Sequence, residues 1–211
     1  MAANAQVVTA SLVALSRRPR CAYARAMDLT PADSALMLRY RDGDVAAFEV
    51  LYRRHNDALY RYLLRLTQNR DAAEDVFQEA WGKIVKAKDS YRRTAKFTTF
   101  LYRVAHNCFI DHVRRNKRHT MTADVEPDTQ PNPGDSPEME TERSLARQRL
   151  DAALRELPDE QRDVFLLREE AGLSLDEIAA VTDCNRETAK SRLRYAVNKL
   201  RAAIDEPAET T

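Results

Sequence analysis

Residues 157–201 read LPDEQRDVFLLREEAGLSLDEIAAVTDCNRETAKSRLRYAVNKLR. Pro158 suits a first helical turn, where its missing N–H costs nothing, and Gly172 stands where a left-handed cap would end that helix. Ser174 followed by Glu177 is a capping box that predicts a second helix through Val181. Thr182-Asp183-Cys184 then makes a turn, and Asn185 caps a third helix. Two helices joined so tightly must cross steeply, as in a helix-turn-helix. On the third helix Ala189, Leu193, Ala196, Val197, Leu200 and Ile204 share one face, while Arg186, Lys190, Arg194 and Arg201 fall largely on another. One side packs and the other is cationic, so duplex DNA is the first partner to consider. A solvated surface helix is the alternative that this pattern alone leaves open.

The chain has 211 residues, 44% hydrophobic and 32% charged, which fits one or two globular domains. Only four glycines are present, which disfavours strand-rich architectures. The net charge of +1 means that nucleic-acid affinity must come from local patches rather than a uniformly basic surface. Cys21, Cys108 and Cys184 are too few and too scattered for a disulfide framework, which points to a reducing cytoplasm. No apolar run approaches the ~20 residues of a membrane span, so no membrane insertion is expected. In residues 1–27, Arg17, Arg18, Arg20 and Arg25 follow the mildly apolar Val7 to Leu15 instead of preceding it, the reverse of a signal peptide. That segment is read as a flexible extension, with Met27 favoured as the working start.

Residues 28–119 are expected to form a first helical domain. Its stripes are Phe48, Leu51, Tyr52, Leu59, Tyr62, Leu63 and Leu66; then Ala73, Val76, Phe77, Ala80, Ile84 and Ala87; then Phe97, Leu101, Val104 and Cys108. Residues 120–142 carry four of the eight prolines and seven acidic residues without one Lys or Arg. Such a stretch cannot bury enough surface to offset its ordering entropy and is read as a linker. Residues 143–204 form the second domain, which contains the helix-turn-helix, and 205–211 a tail. The expected class is all-α: two small helical domains joined by a flexible acidic, Pro-rich linker.

Three surface motifs carry functional expectations. A helix starting near Asp71 puts Glu74, Asp75, Gln78 and Glu79 on a polar face beside Trp81, which suits protein docking if the indole is exposed. Between Tyr91 and His119, the rings Tyr91, Phe97, Phe100, Tyr102 and Phe109 interleave with Arg and Lys, a pattern suited to unpaired strands unless the rings are core. On that helix Arg103, Asn107, Asp111, Arg114 and Arg118 make one polar seam. His106, Cys108 and His112 invite a zinc reading, yet no second ligand pair exists elsewhere in the chain. With no Gly-rich phosphate loop and no nucleophile elbow, no catalytic residue, metal or cofactor is expected.

FEVLYRRHNDALYRYLLRLTQNRDAAEDVFQEAW (48–81), FTTFLYRVAHNCFIDHVRRNKR (97–118) and LPDEQRDVFLLREEAGLSLDEIAAVTDCNRETAKSRL (157–193) together resemble the small alternative sigma factors of bacterial RNA polymerase, the extracytoplasmic-function group. The first resembles the opening of their promoter-melting domain, the second their −10 recognition helix and the third their −35-reading domain. The resemblance implies that Glu74, Asp75, Gln78 and Glu79 contact core RNA polymerase. It also implies that Arg103, Asn107, Arg114 and Arg115, with Arg118 on the same seam, meet the −10 element, and that Arg186, Lys190, Ser191 and Arg194 meet the −35 element. An anti-sigma factor is a further implied partner. The chain departs from the family in having Asp183 where the turn usually has Gly, and in placing Arg194 before Tyr195. Two other classes remain open on the residues: an autonomous helix-turn-helix repressor or activator, and a metal-dependent RNA-modifying enzyme built on His106, Cys108 and His112.

Overall fold

The computed structural model describes residues 31–92, 96–120 and 141–205, with side chains for all of these except 117–120, 141–147 and 204–205. The expected extension at 1–27, nearly all of the linker and tail, and the Arg118 side chain lie outside the described residues. Every regular element among the described residues is helical: α1 (Asp33–Arg41), α2 (Val45–Thr67), α3 (Arg70–Lys86), α4 (Phe97–Thr120), α5 (Thr141–Arg155), α6 (Asp159–Glu169), α7 (Leu175–Val181) and α8 (Arg186–Asp205), with a 3-10 turn at Lys88–Ser90. The class is all-α, as the periodicities indicate.

Local chemistry explains the helix ends of the first block. The Asp44 carboxylate accepts from Ala47 N at 3.2 Å and opens α2. Gln68, in the left-handed region at φ 56°, closes it. Asn69 immediately caps α3 by accepting from Ala72 N at 2.9 Å. The expected start near Asp71 is therefore corrected by one step: Asn69 is extended and holds its amide over the orphan N–H groups, while Asp71 lies inside the first turn and complements the helix dipole. Leu51, Leu59, Leu63 and Leu66 of α2, Val76 and Ile84 of α3, and Phe97, Leu101 and Ala105 of α4 are buried together, with Leu36 and Met37 of α1 beneath them.

In the second block the capping box forms as its sequence requires. Ser174 N donates to Glu177 Oε2 at 2.9 Å, and Glu177 N donates to Ser174 Oγ at 3.3 Å. Gly172 has φ +64° and ends the α6 turn; Asp183 has φ +50° and makes the turn of the helix-turn-helix. Asn185 Oδ1 accepts from Thr188 N at 2.7 Å and starts α8. Val164, Leu166, Leu167, Ile178, Val181, Ala189, Ala196 and Leu200 form the core of this block.

The two blocks also pack on each other, α6 against α2 and α7 against α4. Their seam is polar. The Tyr62 hydroxyl donates to Asp163 Oδ1 at 2.7 Å, and His106 Nδ1 lies 2.8 Å from Asp163 Oδ2. Tyr62 is fully buried and Asp163 is 4% exposed. Burial first, then the Asp163 charge, pushes the Tyr62 phenol well above its ordinary range, so it stays a donor. Arg61 and Arg65 of α2 both reach Glu170, while Lys96 and the Thr99 hydroxyl meet Glu177 at 3.0 and 3.3 Å. Arg162, 5% exposed, donates to the carbonyls of Leu154 and Leu157 at 2.8 Å and of Leu66 at 3.2 Å, so it caps helix ends in both blocks.

Candidate functional site

The helix-turn-helix presents α8 with one face in the core and the other to solvent. Arg186, Lys190 and Arg194 are exposed, and Ser191 is half-buried with its hydroxyl donating to Glu187 O at 2.8 Å. Arg186 pairs with Asp176 at 3.1 Å, Lys190 with Glu187 at 3.5 Å, and the Arg194 guanidinium lies 5.2 Å from the Tyr195 ring centre. These partners are themselves exposed, so each contact exchanges readily with water or a phosphate. Arg192, less exposed at 26%, pairs at the surface with Glu160 of α6 within the same block.

On α4 the residues Arg103, Asn107, Asp111, Arg114 and Arg115 are exposed along the side away from the core. The aromatic residues of the same segment are not. Tyr91, Phe97, Tyr102 and Phe109 are buried and Phe100 is half-buried, with Tyr91 and Phe100 ring centres 5.3 Å apart. The expectation that these rings offer a stacking platform is corrected: on the helix they recur at core spacing, and the cations between them take the solvent side.

The α3 face carries Asp75 and Gln78 exposed, with Glu74 and Glu79 partly covered. Glu74 accepts from Arg70 at 3.1 Å; Glu79 accepts from Arg115 at 2.7 Å and pairs with Lys83 at 2.9 Å. Burial works against the Glu79 charge, but Lys83 and Arg115 together outweigh it and lower its carboxyl. Trp81 requires a correction. It is 5% exposed and packs edge-on against Phe48 at 5.7 Å and beside Tyr52 at 5.0 Å. Its place between Ala80 and Ile84 on the core stripe takes it out of direct contact with any partner. What reaches solvent there is Tyr52, 37% exposed, at a cleft of about 590 Å³ between α2 and α3 that Asn56, Tyr60, Phe77 and Gln78 also line. The stripe pattern placed Tyr52 in the core and so concealed this groove; a ring at the edge of an apolar stripe was the available signal.

The zinc reading finds no geometric support among the described residues, which contain no group of three or more His, Cys, Asp or Glu able to hold an ion. His106 faces Asp163, His112 Nε2 lies 2.9 Å from Asn116 Nδ2, and Cys108 is buried, its thiol pushed up chiefly by that burial. No helix among the described residues is long and apolar enough to cross a membrane.

The class these features define is an all-helical DNA-binding protein in which a helix-turn-helix accompanies a second cationic helix and an acidic face. Residues 51–119 match the family model for Sigma-70 region 2, and residues 147–200 the model for Sigma-70, region 4. The chain is 32% identical over 181 residues to the RNA polymerase sigma-H factor of Pseudomonas aeruginosa, which spans 82% of this chain and 92% of that protein. It is 33% identical over 181 residues, with the same shares, to the ECF RNA polymerase sigma-E factor of Escherichia coli K12. The solved structure of the sigma factor RpoE in complex with the anti-sigma factor NepR from Bartonella quintana has the same fold, with a TM-score of 0.65 at 23% identity over 75% of this chain and 98% of that one. The chain belongs to the sigma-70 family of RNA polymerase sigma factors, in its extracytoplasmic-function group. It is an alternative sigma factor, a transcription initiation factor that binds RNA polymerase and promoter DNA, and not an enzyme.

Proposed function

We propose a residue-level division of labour for this sigma factor. Residues 28–119 form the block that meets core polymerase and the −10 element, residues 143–204 the block that reads the −35 element, and residues 120–142 the linker between them. Glu74, Asp75, Gln78 and Glu79 face the polymerase. Arg103, Asn107, Arg114, Arg115 and Arg118 meet the −10 element, and Arg186, Lys190, Ser191 and Arg194 the −35 element. The observation that carries this reading is the solvent exposure of Arg103, Asn107, Arg114, Arg115, Arg186, Lys190 and Arg194, each outside the core of its block. The protein works in the cytoplasm with an anti-sigma factor as a further partner, a reading supported by the Bartonella structure, in which a sigma factor is bound to one.

Transcription reconstituted from core polymerase and this chain tests the assignments. Arg186→Ala with Lys190→Ala and Arg194→Ala should abolish dependence on the −35 sequence. Arg103→Ala with Asn107→Ala should reduce permanganate-detected melting near −10 more than closed-complex formation, each lost base contact amounting to about 1–3 kcal/mol. Asp75→Lys should weaken capture of core polymerase. Unaltered promoter use in the first two variants would remove these residues from the reading faces. A nanomolar, sequence-specific complex of the intact chain without polymerase would favour an autonomous regulator.

A further inference from the structure

Glu187 is an acid in the middle of the cationic face of α8. At about 100° per residue it lies within about 20° of Arg194 and about 60° of Lys190, and roughly 160° from the buried seam of Ala189, Ala196 and Leu200. It therefore occupies the outward midline of the helix, and it belongs to the first turn, since α8 begins at Arg186. Its side chain is 72% exposed and loosely held, with Lys190 at 3.5 Å and Arg186 at 3.6 Å, both more than half exposed themselves. Solvent-screened pairs at such distances exchange readily with whatever the face meets. The Ser191 hydroxyl is turned back to the Glu187 carbonyl at 2.8 Å, so the carboxylate is the strong acceptor that this turn presents outward.

An acid in that place costs phosphate affinity, because every phosphate of a duplex repels it. Its position on the helix offers a return. A recognition helix laid in the major groove brings its N-terminal residues against base edges, while flanking cations reach the phosphates at the rims. A carboxylate there can only accept. Guanine shows N7 and O6 and thymine shows O4, all acceptors, which repel it. Adenine offers its N6 amine, but the N7 acceptor stands beside that amine. Cytosine presents its N4 amine with no acceptor on the same edge. The acid thus favours one base and rejects three, so its contribution to specificity is as much repulsion as attraction.

We propose that Glu187 is a specificity-determining residue of the −35 contact, accepting from the N4 amine of one cytosine in the bound element. Arg186 and Lys190 at its sides offset its charge against the phosphates. This assignment rests on the proposed −35 role of α8 and adds to that role the class of base that the helix selects.

The probe is a library of promoter duplexes randomised over the upstream element, bound by holoenzyme reconstituted from core polymerase and the full chain and sequenced after selection. Wild type should enrich cytosine at one position of one strand. Glu187→Gln keeps the length of the side chain but brings in an amide that pairs with adenine N6 and N7. It should lower the cytosine preference there at least fivefold and move it towards adenine, with the other positions as in wild type. Glu187→Ala should flatten the same position and strengthen binding to unselected duplex, since an acid facing phosphates is gone. Preferences unchanged in both variants overturn the proposal and leave Glu187 a solvated acid. Preferences loosened equally at every position also overturn it, and make Glu187 a brace for Arg186 and Lys190. A wild-type preference that survives Arg186→Ala with Lys190→Ala and Arg194→Ala would instead strike the −35 reading of α8 itself.

Discussion

Glu79 of α3 accepts a hydrogen bond from Arg115 of α4 at 2.7 Å, so a residue proposed to face polymerase is bonded to one proposed to meet the −10 element. Lys83 joins both sides, pairing with Glu79 at 2.9 Å and with Asp111 at 3.5 Å. Docking that engages Glu79 would free Arg115 for DNA. Glu79→Gln should therefore weaken polymerase capture while raising the free protein's affinity for a −10 single strand. Arg115 is 53% exposed, so solvent screens the pair and the gain should stay below about fivefold. Anisotropy on a labelled strand measures it; unchanged strand affinity would show that the two faces act independently.

Asp183 holds φ +50° in the turn between α7 and α8, a backbone that costs a side-chain-bearing residue roughly 1 kcal/mol or more. Asp183→Gly should relieve that strain and raise Tm by a few degrees, partly offset by the greater freedom of glycine in the unfolded chain. Asp183→Val should lower Tm by more than the glycine raises it. Calorimetry of the three proteins gives the order, and a valine variant as stable as wild type would show that the turn relaxes.

Burial opposes the Glu177 charge, but the Ser174 backbone N–H and Lys96 prevail and hold its carboxyl down to about 2, from an ordinary 4.5. A folded-state value below the unfolded one contributes stability that is complete above about pH 4.5 and is lost as the pH falls towards 2. Glu177→Gln keeps the capping geometry without the charge. The stability gap between wild type and this variant, from urea midpoints, should be widest near pH 6 and close between pH 4.5 and 2. A gap independent of pH would mean that the ion pair contributes nothing.

Arg162 is the main capping side chain of the second block. Arg162→Met preserves length and apolar contact but leaves the Leu154, Leu157 and Leu66 carbonyls without that donor. The loss should be about 2–4 kcal/mol, which lowers Tm by roughly 10 °C. Because Leu66 belongs to α2, the variant should also loosen the seam, visible as faster amide exchange at the end of α2.

The helix-turn-helix was legible because its determinants are local: Ser174 and Glu177 three residues apart, Gly172 at a positive φ, and Asn185 one residue before its helix. The α4 polar seam was legible for the same reason, as its period alone separates Arg103, Asn107 and Arg114 from the buried rings. Trp81 was ambiguous because it stands four residues after Phe77 and three before Ile84, on the core stripe, yet also adjoins the polar Gln78 and Glu79 face. The contact between blocks left no trace in periodicity. Tyr62 and Asp163 stand 101 residues apart, and burial patterns say which face is covered but not what covers it. Nothing in the sequence pattern sets Arg162 and Asp163 apart from other charged helix residues; their partners Leu66 and Tyr62 lie on a distant helix.

Trp81 is the chain's sole tryptophan, buried among Phe48, Tyr52 and Phe77 with no hydrogen-bond partner for its indole N–H among the described residues. The molecule thus carries its own optical probe, seated directly under the acidic α3 face and remote in sequence from the helix-turn-helix. Its emission in the native state should be blue-shifted, as befits an indole 5% exposed and packed among aromatic rings. Polymerase docking on the face proposed at Asp75 and Gln78 would perturb that emission, read after subtraction of the polymerase's own fluorescence, whereas duplex binding to the face proposed on α8 would leave it unmoved.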